Sequence, residues 1–117
     1  MYKRQIYGIT TCDTVRKARK WLDAEAIEAT YHDLRKDGLS ADQLDHWLSQ
    51  QPLDILLNRR GTSWRKLPDA DKASEDEEHL KALILAQPTL LKRPIIEHKG
   101  QVTVGFKADV QAAIKSA

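Results

Sequence analysis

The sequence predicts an α/β fold, and three observations carry the prediction. A strand, helix, strand pattern opens the chain, helix-capping residues punctuate its middle, and two β-rich runs precede a helical pattern at its end. In "KRQIYGIT", weak alternation with Ile6, Tyr7 and Ile9 predicts a short strand entering a turn at Thr10 and Thr11. From Asp13 to about Glu25, the residues Val15, Ala18, Leu22 and Ala26 recur at spacings of three and four. Trp21 flanks that stripe and the basic residues lie mostly off it, which predicts a helix with one buried face. Ile27, Ala29 and Tyr31 in "IEATYHDL" have period two and predict a second strand, which "RKDGL" leaves as a loop. A strand, helix, strand opening favours parallel pairing with a right-handed crossover.

The middle is predicted to be a helical layer. Ser40 with Gln43 matches a capping box, Leu44, Trp47 and Leu48 make an apolar face, and Pro52 limits the helix. Ser74 with Glu77 repeats the device, with the acidic run "EDEE" in the first turn and Leu80, Leu83 and Ile84 on one face before Pro88. Between them, "PLDILLNRRG" reads as a short helix ending at Gly61, followed by an exposed loop "TSWRKLPDADKA". The run "RPIIEHKGQVTVGF" reads as a hairpin turning at Lys99 and Gly100. In "KADVQAAIKSA", Val110, Ala113 and Ile114 mark a last amphipathic helix.

At 117 residues, 41% hydrophobic and 31% charged, the chain is expected to form one soluble globular domain around a single core. A net charge of only +2 argues against a general nucleic-acid or membrane surface. No apolar run approaches the roughly 20 residues that span a bilayer, and "MYKRQIYGITT" lacks the marks of a signal peptide, so the expected location is cytoplasmic. The lone Cys12 excludes an intramolecular disulfide and a cysteine-rich zinc site. If the thiol reacts, its sulfur partner comes from another molecule.

Cys12 falls where the first strand turns into the first helix. There, unpaired backbone N–H groups and the helix dipole stabilise an anion such as a thiolate. Arg16, one helical turn beyond, adds a cation, while Asp13 opposes the thiolate. The same residues also fit a small core-capping cysteine beside a solvated basic helix face. Arg59 and Arg60 fit cations at a helix C-terminus before Gly61, and Arg93 before Pro94 fits a strand entry with an ordinary trans bond. The four histidines, His32, His46, His79 and His98, show no metal-ligand spacing and read as surface or helix-face residues. No metal is expected. Trp64 reads as a packing contact.

Taken together, "YGITTCDTVRKARKW", "LLNRRGTSWRKL" and "LLKRPII" followed by "VGF" resemble the arsenate reductase (ArsC) family, and most closely its YffB-like branch. The resemblance spans essentially the whole chain. It implies a thioredoxin-like fold in a single domain, residues 1–117, with thioredoxin-like parts at about 1–38 and 92–117 and a helical insertion at about 39–91. Carried over by position, Cys12 matches the nucleophilic thiol, with Thr11 beside it, and Arg16 a basic residue of the following helix. Arg60 matches the middle arginine, or Arg59 if the register shifts by one. Arg93 matches the arginine before a proline, and Pro94 is then expected to be cis, which would bring that loop beside the thiol. Val15 stands where arsenate reductases often carry a serine, and Lys107 stands near a third arginine of theirs. Both departures weaken an arsenate assignment. Residue 15 is also not cysteine, so the dithiol switch of the related Spx regulators is absent.

The resemblance implies a glutathione-dependent monothiol oxidoreductase with no bound cofactor. Glutathione would serve as co-substrate and glutaredoxin as a candidate resolving partner. Arsenate reduction proper is the alternative enzyme reading. A third reading is a non-enzymatic, Spx-like regulator that binds RNA polymerase, to which the contrast between the acidic "SEDEEH" and the basic "RKARK" is suited. Neither a membrane nor direct nucleic-acid binding is expected.

Overall fold

The structure, a computed structural model, describes residues 4–98 and 101–116. These divide into two compact units: residues up to Asp37 together with those from Arg93 onward, and Gly38–Lys92. Among the described residues no helix is long and apolar enough to cross a membrane.

The first unit is built on a four-stranded sheet. Strands β1 (Arg4–Gly8), β2 (Ala29–Asp33), β3 (Ile95–His98) and β4 (Gln101–Val104) lie in the order β2-β1-β3-β4. β1 pairs parallel with β2, from Arg4 opposite Ala29 to Gly8 opposite Asp33, and antiparallel with β3, where Ile6 faces Ile96 and Tyr7 faces Ile95. β3 and β4 pair antiparallel, as the hairpin pattern predicts, with the expected turn at Lys99 and Gly100 outside the described residues. Helix α1 (Asp13–Ala24) supplies the parallel crossover, and α8 (Ala108–Ser116) ends the chain. Ile6 and Ile96 share a core with Ala18 and Leu22 of α1 and Val110 and Ile114 of α8. Trp21 meets Phe106 edge-on at 5.4 Å between centroids, and Lys115 pairs with Glu25 at 3.1 Å.

Two expected core positions are not in it. Ala26 is exposed with φ 56°, because α1 has already ended and the chain turns back there, the Ile27 N–H donating to the Leu22 carbonyl at 2.9 Å. Ala113 is exposed because the core-facing stripe of α8 runs through Val110 and Ile114. "RKDGL" is not all loop either. Asp33 accepts from the backbone N–H groups of Arg35 and Lys36 at 2.9 and 3.0 Å, capping a single helical turn, α2 (Leu34–Asp37).

The second unit is helical: α3 (Ala41–Gln50), α4 (Leu53–Leu56), α5 (Thr62–Arg65), α6 (Asp69–Ala73) and α7 (Glu77–Ala86), then a 3-10 turn at Pro88–Leu90. Ser40 caps α3 as predicted, its Oγ accepting from the Gln43 N–H at 3.1 Å. Leu44, Trp47, Leu80 and Ile84 are buried along α3 and α7, and Lys81 of α7 binds Asp45 of α3 at 2.7 Å. That hydrogen bond holds the Lys81 ammonium above the usual lysine range.

Three local expectations for this unit are corrected. The cap of α7 is Asp76, which accepts from the Glu78 N–H, while Ser74 bonds the N–H of Asp76. Both are short polar side chains, and the nearer one wins the helix terminus. Gly61 does not end a helix. The helix it was expected to end, α4, stops at Leu56, after which Asn58 N–H bonds the Leu90 carbonyl at 2.8 Å and Lys92 N–H the Leu56 carbonyl at 2.7 Å. Gly61 is the N-cap of α5 instead. The stretch "TSWRKLPDADKA" forms α5 and α6, and the burial of Trp64 and Leu67 organises what polarity alone suggested was loop. Trp64 is the packing residue its sequence context suggested.

Candidate active site

The thiol is presented by a tight turn. β1 ends at Gly8, Ile9 is buried, Thr10 and Thr11 are exposed, and the Cys12 N–H donates to the Ile9 carbonyl at 3.2 Å. Cys12 is the N-cap of α1, with φ −86° and ψ 120°, and its carbonyl accepts from the Arg16 N–H at 3.1 Å. Its side chain makes no capping hydrogen bond, so the half-buried free thiol sits at the positive end of the helix. The turn depends on close contact at its base. A Cβ on Gly8 would lie 2.5 Å from Cγ2 of Val15, so β1 and α1 approach as closely as they do only because residue 8 is glycine. Val15 is fully buried against that glycine, a packing reason for an apolar residue where arsenate reductases often carry serine.

The sheet register sets the neighbours of this turn. Because Tyr7 faces Ile95, the preceding Arg93–Pro94 segment stands beside the end of β1, and because Gly8 faces Asp33, the end of β2 stands on the other side. The Arg93–Pro94 peptide bond is cis, and the Pro94 carbonyl accepts from the Gly105 N–H at 2.9 Å. Arg93 is half-buried, and its Nη1 is fully buried with no hydrogen-bond partner among the described residues. A buried donor left in that condition is suited to an anionic ligand. Cys12, Thr11, Arg93 and Pro94 therefore gather at one end of the sheet.

Arg16 behaves differently from its sequence role. Its exposed guanidinium binds the Asp13 carboxylate, answering the negative charge next to the thiol. Lys107 is exposed just ahead of α8. In the second unit, Arg59 pairs with Asp54 at 2.6 Å, and its guanidinium lies 5.5 Å from the Trp64 ring centroid. Arg60 is exposed on the turn before α5, with its N–H donating to Asn58 Oδ1 at 3.1 Å. The two adjacent arginines, alternatives by register alone, thus differ in surroundings.

Sequence reasoning missed the tyrosines. Tyr7 donates to Glu97 Oε1 at 3.2 Å and stacks on His32 at 4.6 Å, and His32 in turn meets Gln5 at 2.6 Å. Burial, reinforced by Glu97, holds the Tyr7 phenol well above its usual range. His32 is consequently a sheet residue in a polar stack and not a surface or helix-face histidine. Tyr31, on β2, is half-buried under the Arg19 guanidinium, 4.1 Å from its ring centroid. Period two placed Tyr31 on a strand, but only parallel pairing brings that strand's C-terminal end to the thiol turn.

Comparison with known proteins gives the family. The ArsC family model matches residues 7–114. The chain belongs to the ArsC family. A solved YffB protein is 42% identical, covers 95% of this chain and 97% of its own, and superposes with a TM-score of 0.89. An arsenate reductase (ArsC) related protein from Brucella melitensis is 43% identical, covering 98% and 96%, with a TM-score of 0.78. The global transcriptional regulator Spx of Streptococcus pneumoniae is 31% identical over 85% of this chain and 75% of its own length. The fold is thioredoxin-like, as ArsC membership implies, and that membership supports a function related to thiol oxidoreduction.

Proposed function

We propose that this ArsC-family protein is a glutathione-dependent monothiol oxidoreductase with Cys12 as its nucleophile. The observation that carries the reading is a free, half-buried thiol at the N-terminus of α1, at the same sheet end as the buried, unpartnered guanidinium edge of Arg93. In the proposed reaction, the Cys12 thiolate attacks the glutathionyl sulfur of a mixed disulfide R–S–S–G. The S–S bond breaks, RS⁻ leaves, and Cys12–S–S–G forms. A second glutathione thiolate attacks the glutathionyl sulfur of that adduct, releasing glutathione disulfide and the Cys12 thiolate. Glutaredoxin would be an alternative source of the resolving thiol.

Arg93 would hold a carboxylate of glutathione, with the Thr11 turn and the Pro94 backbone lining its chain. Arg16 pairs with the Asp13 carboxylate beside the thiol. For Arg60 the support is the family pattern in "LLNRRGTSW". A reaction of this kind fits the cytoplasm, where thiols stay reduced.

The test is turnover of a glutathione mixed disulfide in the presence of glutathione, with the Cys12 adduct followed by mass spectrometry. Cys12→Ser should abolish both while leaving the circular dichroism spectrum unchanged. Arg93→Ala should lower turnover about tenfold or more, the order of magnitude of a hydrogen bond to a charged group, and Arg60→Ala should lower it in the same direction. Turnover of arsenate but not of disulfides would replace this reading with arsenate reduction.

A second reading is favoured by the similarity to Spx, which is a transcriptional regulator. It predicts a wild-type protein inert toward both substrates, and binding to RNA polymerase that survives Cys12→Ser.

A further inference from the structure

Among the described residues, two buried side-chain polar atoms have no hydrogen-bond partner: Nη1 of Arg93 and Oη of Tyr31. They belong to the two segments that flank β1, the strand that delivers the thiol. Arg93 leads into β3, and Tyr31 lies on β2, opposite Ile6. An unsatisfied buried donor is destabilising, so native proteins seldom keep one without a use for it.

The Tyr31 side chain lies on the α1 side of the sheet, where its ring packs against the core that Ile6 shares with Ala18 and Leu22 of α1 and lies 4.1 Å from the Arg19 guanidinium. Besides burial, the largest influence, the phenol feels Asp33, Arg19, Cys12 and Asp37. Asp33 ends β2 beside Gly8, Asp37 ends the helical turn that follows, and Cys12 opens α1, so three of these mark the thiol end of the sheet. Arg19, further along α1, holds the ring by its guanidinium face. Burial and the surrounding carboxylates keep the phenol protonated at neutral pH, the opposing pull of Arg19 being smaller, so the group is a donor. It is also out of hydrogen-bond reach of Cys12 Sγ, since it has no partner among the described residues. An acceptor belonging to a molecule joined to that sulfur would satisfy it.

We propose that Tyr31 is a ligand-binding residue of the Cys12 site, its hydroxyl donating to a carbonyl or carboxylate oxygen of the peptide thiol held in mixed disulfide with Cys12. This rests on the glutathione reading above and adds to it a selectivity for thiols that carry such oxygens. A small thiol without them gains nothing from Tyr31.

The experiment compares wild type with Tyr31→Phe, which keeps the ring and its contact with Arg19. Each is equilibrated with glutathione disulfide and, separately, with 2-hydroxyethyl disulfide, and the Cys12 adduct is quantified by mass spectrometry. Tyr31→Phe should form the glutathionyl adduct about tenfold less favourably, the size of one hydrogen bond to a charged acceptor. The hydroxyethyl adduct should be unchanged and the melting temperature equal or higher, because the lost hydroxyl has no partner among the described residues. A merely structural hydroxyl would lower the melting temperature and leave the ratio of the two adducts alone, which overturns the proposal. Equal loss of both adducts also overturns it, by showing that the hydroxyl acts on the thiol itself. If wild type forms the hydroxyethyl adduct but no glutathionyl adduct, the glutathione reading fails and takes this proposal with it. If wild type and Tyr31→Phe take glutathione alike, only the role of Tyr31 fails.

Discussion

Around the sheet, the two segments beside β1 each carry a buried donor without a partner among the described residues, Tyr31 Oη and Arg93 Nη1. In Gly38–Lys92, polar side chains pair with one another: Lys81 with Asp45, His79 with Asp71, Arg59 with Asp54. The sheet unit has ion pairs of its own, Arg16 with Asp13 and Lys115 with Glu25, but both unpartnered buried donors among the described residues lie in it, next to a thiol. Exposed ion pairs contribute about 0–1 kcal/mol each. The stability of the helical unit therefore comes mainly from its buried apolar side chains, Trp47 foremost. The sheet unit instead relies on contacts between residues far apart in sequence, such as Ile6 with Ile96, or Arg4, which donates to the Ile114 carbonyl at 3.0 Å.

Three substitutions sharpen this comparison. The largest effect is expected at Trp47, which is fully buried in the helical unit. Trp47→Ala should cost about 3–5 kcal/mol, read from urea unfolding, and a loss comparable to that of an exposed ion pair would show that apolar burial does not dominate there. Next is Gly8→Ala, where the added methyl meets the stiff, β-branched Val15 at 2.5 Å. Overpacking of this kind costs about 1–3 kcal/mol. Because the clash lies at the base of the thiol turn, the rate of Cys12 adduct formation should fall as well. Unchanged reactivity in a destabilised Gly8→Ala protein would separate the packing of the turn from its chemistry. The smallest effect is Ser40→Ala, which removes the α3 cap and should cost about 1 kcal/mol, visible as faster hydrogen exchange in the first turn of α3 with no change in Cys12 reactivity.

Much of this molecule was legible from local pattern. Period two found β1 and β2, spacings of three and four found α1 and α3, and Ser40 with Gln43 named a real cap, because each signal reports on a backbone only a few residues long. The failures share a cause. "TSWRKLPDADKA" read as exposed loop because polarity outweighs two apolar residues in a short window, yet the burial of Trp64 and Leu67 turns it into helices. Gly61 and Ser74 carry the right chemistry for a helix boundary, but which residue terminates a helix depends on where the backbone is pulled by partners elsewhere. For Gly61 the outcome turns on the Leu57 bridge to Leu91.

By itself the sequence determined the α/β order of elements, the thiol at a helix start and the ArsC family pattern. Those properties are written in short runs of side chains and in their order. Only the tertiary structure decided that Arg16 answers Asp13, that Val15 is held against Gly8, and that Tyr31 and Arg93 retain buried donors on either side of β1. A hydrogen bond that is not made has no signature in sequence, because whether a donor finds an acceptor depends on strands and helices that meet only when the chain has folded.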